Sequence, residues 1–428
     1  MTATLLTRRR ALASAFALGV SVEFLGRQAL ADPHSQSRKL VIIVCRGGQD
    51  GLSVSPPVGD AHYAALRGAI AIPGFEAANG ALRLDDTFGL HPALQTVHAL
   101  ALKGEARIAP AVATPDRERS HFEAQDVLEN GATSPYAIST GWLNRALQAL
   151  GPRSGVTAIA VAPTAPLILK GAVESASWSP GGGAEPDHRL PAILQDLYAQ
   201  DPLLGPALAQ GLATQGMARA ANAEVNQEMA NANSSFSESA PQGLTNGPAA
   251  AGYLRRGLPE ARKIGLTLAA FMTAPGGQQV AAISVDNFDT HANQGASAGQ
   301  LAARLAYLDA VIAGLHEGLG AEWSRTLVIT ATEFGRTARV NGTGGTDHGT
   351  ASTALIMGGA LTRGGIVGDW PTLAPAALFE NRDTRPTLDM RALFKAALRD
   401  HLGVDRRALE ALVFPDSAAA RPIEGLVA

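Results

Sequence analysis

Between Thr326 and Gly359 the chain reads TLVITATEFGRTARVNGTGGTDHGTASTALIMGG. Glu333, Arg336, Asp347 and His348 lie there in a loop with five glycines from Gly335 to Gly349. Carboxylates and imidazoles of this kind ligate divalent cations or move protons. Glycine lets the backbone come close to a ligand. A plain turn needs neither this length nor this charge; the competing reading is a long surface loop whose Asp and His cap a helix. A second donor pair is Asp289-Thr290-His291. Two residues apart on an extended segment, these side chains point the same way. Asp50, in Arg46-Gly47-Gly48-Gln49-Asp50-Gly51, is placed to ligate a metal or anchor a substrate group, although Asp-Gly is also turn chemistry.

Ser120 opens a stretch of helical spacing that Gly131 closes. A hydroxyl at a helix start faces the positive end of the dipole and free N–H groups, which suits an anion. A metal or base could make that hydroxyl a nucleophile. The same Ser120 with Glu123 three residues on is also a capping box. Glu123, Asp126 and Glu129 read as a solvated or hydrogen-bonded face. Of ten histidines, His121, His291 and His348 follow strand ends with acids close by, and His91 is marginal. His34, His62, His98, His188, His316 and His401 lack that setting; His401 suits the end of its helix as a cation.

These residues need elements that gather them. Apolar runs predict strands at Lys39–Cys45, Ala106–Val112, Val156–Ala162, Val280–Val285, Thr326–Thr332 and Thr353–Met357. Helical spacing covers Ala93–Leu102, Ser120–Gly131, Gly141–Leu150, Ala250–Thr273, Gln300–Leu319 and Leu388–Leu402. Alternating strands and helices give an α/β fold with a mostly parallel central sheet sandwiched by helices. Such sheets bind ligands at the carboxyl ends of their strands, where the candidates stand. Residues 73–90 read as loop and Gly364–Pro371 as a short hairpin or excursion; 163–250 reads as a helical insertion or cap, with a Gly-, Ser- and Pro-rich loop at 173–187 and the polar linker Ser234–Gly247.

The 428 residues are 46% hydrophobic and 17% charged, enough for a large core. A net charge of −3 without a basic run excludes a nucleic-acid partner. The single Cys45 ends a strand and reads as a buried thiol, with neither disulfides nor Cys-based zinc sites. Residues 1–31 read as an export signal: Arg8-Arg9 before a weakly apolar stretch, then Ala29-Leu30-Ala31 as a cleavage site. The arginine pair suggests the twin-arginine route, with a general secretory signal as the competing reading. The mature chain, 32–428, has no run of ~18–20 apolar residues to span a membrane. It is expected in the periplasm or secreted.

Ordered blocks then carry a resemblance: Arg46–Gly51, Arg119-Ser120-His121-Phe122-Glu123-Ala124-Gln125, Gly141–Asn144, Phe288–Gln294, Glu333–Arg336, Gly345–Gly349 and Gly368-Asp369-Trp370-Pro371. Over nearly all of the mature chain the sequence resembles domain-of-unknown-function family 1501, exported bacterial proteins placed in the alkaline phosphatase/sulfatase superfamily. The resemblance implies an alkaline phosphatase-like fold and hydrolysis of phosphate or sulfate esters. It makes Asp50 the first metal acid, Ser120 the nucleophile, Asp289 and His291 the next ligands and His348 the last metal His. Glu333 stands where an Asp-His pair is usual; Phe334 follows it, so Asp347 or His121 would take the vacant place. Asp289 and His291 are closer than the usual Asp-x-x-x-His. No Cys-x-Pro-x-Arg is present, so formylglycine chemistry is not expected. The expectation is an exported hydrolase of small anionic esters that uses Zn²⁺, Mn²⁺ or Mg²⁺, with Arg46, Arg119 or Arg336 binding the anionic oxygens. The alternative is a non-catalytic exported member that binds a ligand or an envelope partner.

Overall fold

In the computed structural model the described residues are 38–152, 155–162, 164–180, scattered positions from 198 to 216, and 248–427. The expected signal peptide, His34, His188, the linker Ser234–Gly247 and most of the 163–250 insertion lie outside them. The described residues all belong to one unit.

The strands are β1 Lys39–Cys45, β2 Leu82–Arg83, β3 Gly89–Leu90, β4 Ala106–Ala113, β5 Ala158–Val161, β6 Ala176–Trp178, β7 Val280–Val285, β8 Thr326–Ala331, β9 Ser352–Met357, β10 Gly365–Ile366 and β11 Leu388–Asp389. Among the described residues nine form one sheet in the order β10-β4-β9-β8-β1-β7-β5-β6, with β11 also on β4. β2 and β3 pair separately as a small hairpin in the expected loop region. β1 is buried at all seven positions between β7 and β8, parallel to both. Its apolar run is what a strand covered on both faces requires.

Side chains of β1 alternate between two cores. Val41, Ile43 and Cys45 pack with Val97 and Leu100 of helix Gln95–Leu102, Leu268 and Phe271 of helix Pro248–Thr273, and Leu305, Leu308 and Ile312 of helix Gln300–Leu319. Leu40, Ile42 and Val44 pack with Trp142 and Leu143 of helix Trp142–Leu150 and with Leu393 and Phe394 of helix Met390–Ala396. The sheet is therefore sandwiched by helices. Among the described residues no helix is long and apolar enough to cross a membrane.

The sheet is mostly parallel, as expected, and mixed, since β9 runs antiparallel to β4 and β8. Its reversal brings the loop between β8 and β9 back at the edge from which it leaves. The segment at Gly365–Ile366 is an edge strand parallel to β4 rather than a hairpin. Ala176–Trp178, read as loop inside the insertion, pairs parallel with β5 and belongs to the sheet.

Candidate metal centre

Four strand ends converge. β4 leads to His121 at the start of helix His121–Asn130; β7 leads to Asp289 and His291; β8 leads to Glu333 and Arg336; and the loop into β9 brings Asp347 and His348. One ligand atom each from His121, Asp289 and His348 lies within 4.8 Å of the others. The two oxygens of Asp289 divide the work. Its Oδ2 is 3.4 Å from His121 Nε2. Its Oδ1 is 2.9 Å from His291 Nε2 and 3.4 Å from His348 Nε2. The Nε2 atoms of His291 and His348 are 3.0 Å apart. Phe334 packs against both His121 and His348, with ring centroids 4.8 and 4.7 Å away.

Hydrogen bonds behind the rings set which nitrogen faces inward. His348 Nδ1 lies 2.8 Å from the carbonyl oxygen of Arg119. A carbonyl only accepts, so Nδ1 carries the proton and Nε2 presents a lone pair. Arg119 itself has left-handed backbone, φ 59°, the kind of local strain that clusters at functional sites. His121 Nδ1 lies 2.9 Å from Glu333 Oε1, and its Nε2 is buried without a hydrogen bond among the described residues. A buried imidazole nitrogen left unbonded beside a carboxylate and a second lone pair is a donor set that a divalent cation fits.

The local field agrees with this. The hydrogen bond to Glu333 holds the His121 imidazole above its ordinary pKa, against the effect of burial. Burial pushes the His348 imidazole down; the Arg119 carbonyl opposes that, while Arg336 and His121 reinforce it. Burial alone would raise the Asp289 carboxyl, but the hydrogen bond and charge of Arg336, with His291 and His121, hold it below the usual carboxylate range. Glu333 is likewise held low: bonds from His121, backbone N–H groups and Gln125 outweigh its burial.

The family described as protein of unknown function (DUF1501) matches residues 37–413, which run from β1 past the cluster and through the last helical turn. The chain belongs to that family. No curated protein matches the chain.

Other candidates in this DUF1501 chain are engaged elsewhere. Asp50 is buried, and its Oδ2 accepts from Arg67, from Ser53 Oγ at 2.8 Å and from Gln294 Nε2 at 2.7 Å. It lies outside the donor group. Glu333 is buried behind His121. Arg336 is 1% exposed, pairs with Asp289 and donates to the carbonyls of Gly47 at 2.5 Å, Gly48 at 2.6 Å and Thr346 at 3.1 Å. Arg46 donates to Gln125 Oε1 at 2.7 Å and pairs with Glu129. Glu129 takes the hydrogen-bonded form of the face expected for it: it is buried and accepts from Arg46 and from the Ile168 N–H at 3.0 Å. Ser120 is the residue before the helix, and its hydroxyl donates to the Glu123 carboxylate and accepts from no helix N–H. Asp347 Oδ1 is 3.6 Å from His291 Nδ1 and accepts from Asn341 at 3.0 Å.

His91 is scaffold: Nδ1 accepts from the Ala93 N–H at 3.0 Å and Nε2 meets the Ala296 carbonyl at 3.0 Å. His401 is buried on the Lys39 carbonyl at 2.9 Å, and its pKa is pushed down to about 4, so it is no cation for the helix end. Cys45 is buried and its thiol is pushed up by that burial. His316 is half-buried, edge-on to Trp323.

Two supporting residues escaped the sequence reading. Gln125 Nε2 donates to Glu333 at 3.2 Å; its place one turn after His121 on the same helix face was a usable signal. Asp383 is buried and accepts from Arg119 at 3.0 Å, Thr350 at 2.8 Å and Arg382 at 3.1 Å. Arg382 also donates to the His348 carbonyl at 2.7 Å. Little in the local sequence marks Asp383, because Arg119 and Thr350 come from two distant strand ends.

Proposed function

We propose that this protein is an exported, metal-dependent hydrolase of phosphate- or sulfate-like esters, with an alkaline phosphatase-like arrangement of its site. The observation that carries the reading is the inward-facing set of His121 Nε2, His348 Nε2 and the Asp289 carboxylate, gathered at the edge of the sheet where β4, β7 and β8 end and antiparallel β9 begins. His121, Asp289 and His348 would hold the cation, and His291 borders it. When bound, Zn²⁺, Mn²⁺ or Mg²⁺ supplies a Lewis acid that polarises an ester oxygen and offsets developing charge. Arg336 keeps Asp289 ionised and fixed. Ser120 is the nucleophile: its oxygen bonds to phosphorus or sulfur as the ester oxygen leaves, and Glu123, already its hydrogen-bond partner, takes the proton. His291, about half exposed with its Nε2 beside Asp289, gives a proton to the leaving oxygen. Water then releases the anion from Ser120. Export rests on Arg8-Arg9 and Ala29-Leu30-Ala31.

The test is elemental mass spectrometry of the purified mature protein beside His348→Ala, followed by aryl phosphate and aryl sulfate hydrolysis. The expected result is about one or two equivalents of metal, lost in the variant. Hydrolysis should fall by about 10²-fold or more in Ser120→Ala. Protein that arrives metal-free and refuses added Zn²⁺, Mn²⁺ and Mg²⁺ removes the proposal.

A second reading has its own support. Arg46, Arg119 and Arg336, the cations expected to grip an anionic ester, are all engaged with the protein itself. That favours an exported protein that binds a ligand or envelope partner through the same cluster without turnover. Metal uptake with no hydrolysis of any ester, and no effect of Ser120→Ala, would select it.

A further inference from the structure

We propose that Glu333 is the positioning residue for His121: it holds the proton on Nδ1 so that the Nε2 lone pair faces the site. The inference rests on reading the cluster as a metal site, and it removes Glu333 from the ligands. Glu333 Oε1 receives the Gly47 N–H at 2.8 Å, His121 Nδ1 at 2.9 Å and Gln125 Nε2 at 3.2 Å. Oε2 receives the Thr332 hydroxyl at 3.1 Å. With three donors Oε1 has no lone pair left for a cation, and Glu333 lies outside the donor group of His121, Asp289 and His348.

What Glu333 does is settle a competition. Two carboxylates flank the same ring, Glu333 at 2.9 Å from Nδ1 and Asp289 at 3.4 Å from Nε2. Whichever draws the proton of the neutral imidazole decides whether Nε2 can ligate. The nearer, fully buried acceptor is Glu333, and its place is secured from behind. Gln125 Oε1 accepts from Arg46 at 2.7 Å, which turns the amide nitrogen of Gln125 toward Glu333. Arg46 is anchored in turn by Glu129 and by Ser284 Oγ at 3.2 Å. A polar chain thus runs Glu129, Arg46, Gln125, Glu333, His121. Second-layer carboxylates that fix a ligand imidazole in this way are worth about 10–100-fold in metal affinity.

His348 provides an internal control. Its Nδ1 partner is the backbone carbonyl of Arg119, which no substitution at 333 alters. The experiment compares Glu333→Leu, Glu333→Asp and Glu333→Gln with the wild type. Imidazole tautomers are read in metal-free protein by long-range nitrogen–proton correlation NMR, at a pH where the rings are neutral. Zn²⁺ affinity is read by competition with a chelating dye. In the wild type His121 should be the Nδ1–H form. Glu333→Gln keeps an accepting oxygen and should keep that form. Glu333→Leu lacks the acceptor and Glu333→Asp is too short to reach, so both should shift the proton to Nε2 and weaken Zn²⁺ binding by about 10–100-fold. His348 should stay Nδ1–H throughout. If Glu333→Leu does not fold, the Asp and Gln pair carries the comparison, since they differ in reach and charge.

An unchanged His121 tautomer together with unchanged Zn²⁺ affinity in the Leu or Asp variant overturns the proposal and leaves the metal site standing. A wild type that takes up no Zn²⁺ while the tautomer moves as described overturns the metal reading and leaves the positioning role standing.

Discussion

A methyl group on Gly345 would lie 2.4 Å from the carbonyl carbon and oxygen of His291. The loop needs glycine there because it lies directly on the backbone that carries His291. Thr343 Oγ1 and Asn341 Nδ2 grip the same carbonyl, at 2.7 and 2.9 Å. Gly345→Ala must push His291 away from Asp289 and His348 without touching any side chain of the cluster. We expect a loss of about 1–3 kcal/mol of stability and roughly tenfold weaker Zn²⁺ binding, measured by thermal unfolding and chelator competition. Full affinity in this variant would detach His291 from the site. At this scale the sequence showed which residue types gather, because Asp289-Thr290-His291 and Asp347-His348 keep their donors close together. It could not show what each carboxylate faces. Glu333 and Asp50 read as ligands because the atoms that occupy them, on His121, Gly47, Arg67 and Gln294, come from remote parts of the chain.

Among the elements, six apolar runs read as strands are strands, since a central strand needs a continuous run of such residues. β6, β10 and β11 are two or three residues long and have no pattern to read. The direction of β9 is decided by its neighbours rather than by its own residues. Helix Gln300–Leu319 buries the expected stripe Leu301, Leu305, Leu308, Ile312, Leu315 and Leu319. It also buries Asp309, which the stripe did not announce. Helix Gln95–Leu102 begins without a side-chain cap of its own. Asp309 supplies one from the neighbouring helix, accepting from the N–H groups of Thr96 at 3.0 Å and Val97 at 3.1 Å. Burial pushes its pKa up to about 6 despite those bonds. Asp309→Ala leaves two helix-end donors without an acceptor. Its expected cost is about 1–3 kcal/mol, seen as a lower denaturation midpoint with unchanged Zn²⁺ affinity. A midpoint equal to the wild type would show that the helix start does not depend on Asp309.

The whole molecule carries an acid sensitivity in two buried histidines that the cluster does not use. Burial pushes both His91 and His401 down to about 4. Below about pH 6.5 the unfolded chain binds a proton at each. The folded chain refuses that proton until about pH 4. Stability is therefore lost as pH falls through this window, on the order of 3 kcal/mol for each group. The double variant His91→Gln, His401→Gln should show a flatter fall of the unfolding midpoint between those limits. An identical slope would place the acid sensitivity elsewhere.

The position of β1 also bears on how the chain comes to be made. It precedes the other described strands in the chain and lies in the middle of the finished sheet, and its partner in β7 begins about 240 residues later, Val41 facing Ala281. At ribosomal speed that is a wait of roughly 10–50 s. Throughout it, one of the most apolar segments of the protein has both edges unpaired, a template for pairing with other nascent chains. The growing polypeptide is thus a natural client for chaperones that shield extended apolar segments until β7 and β8 emerge.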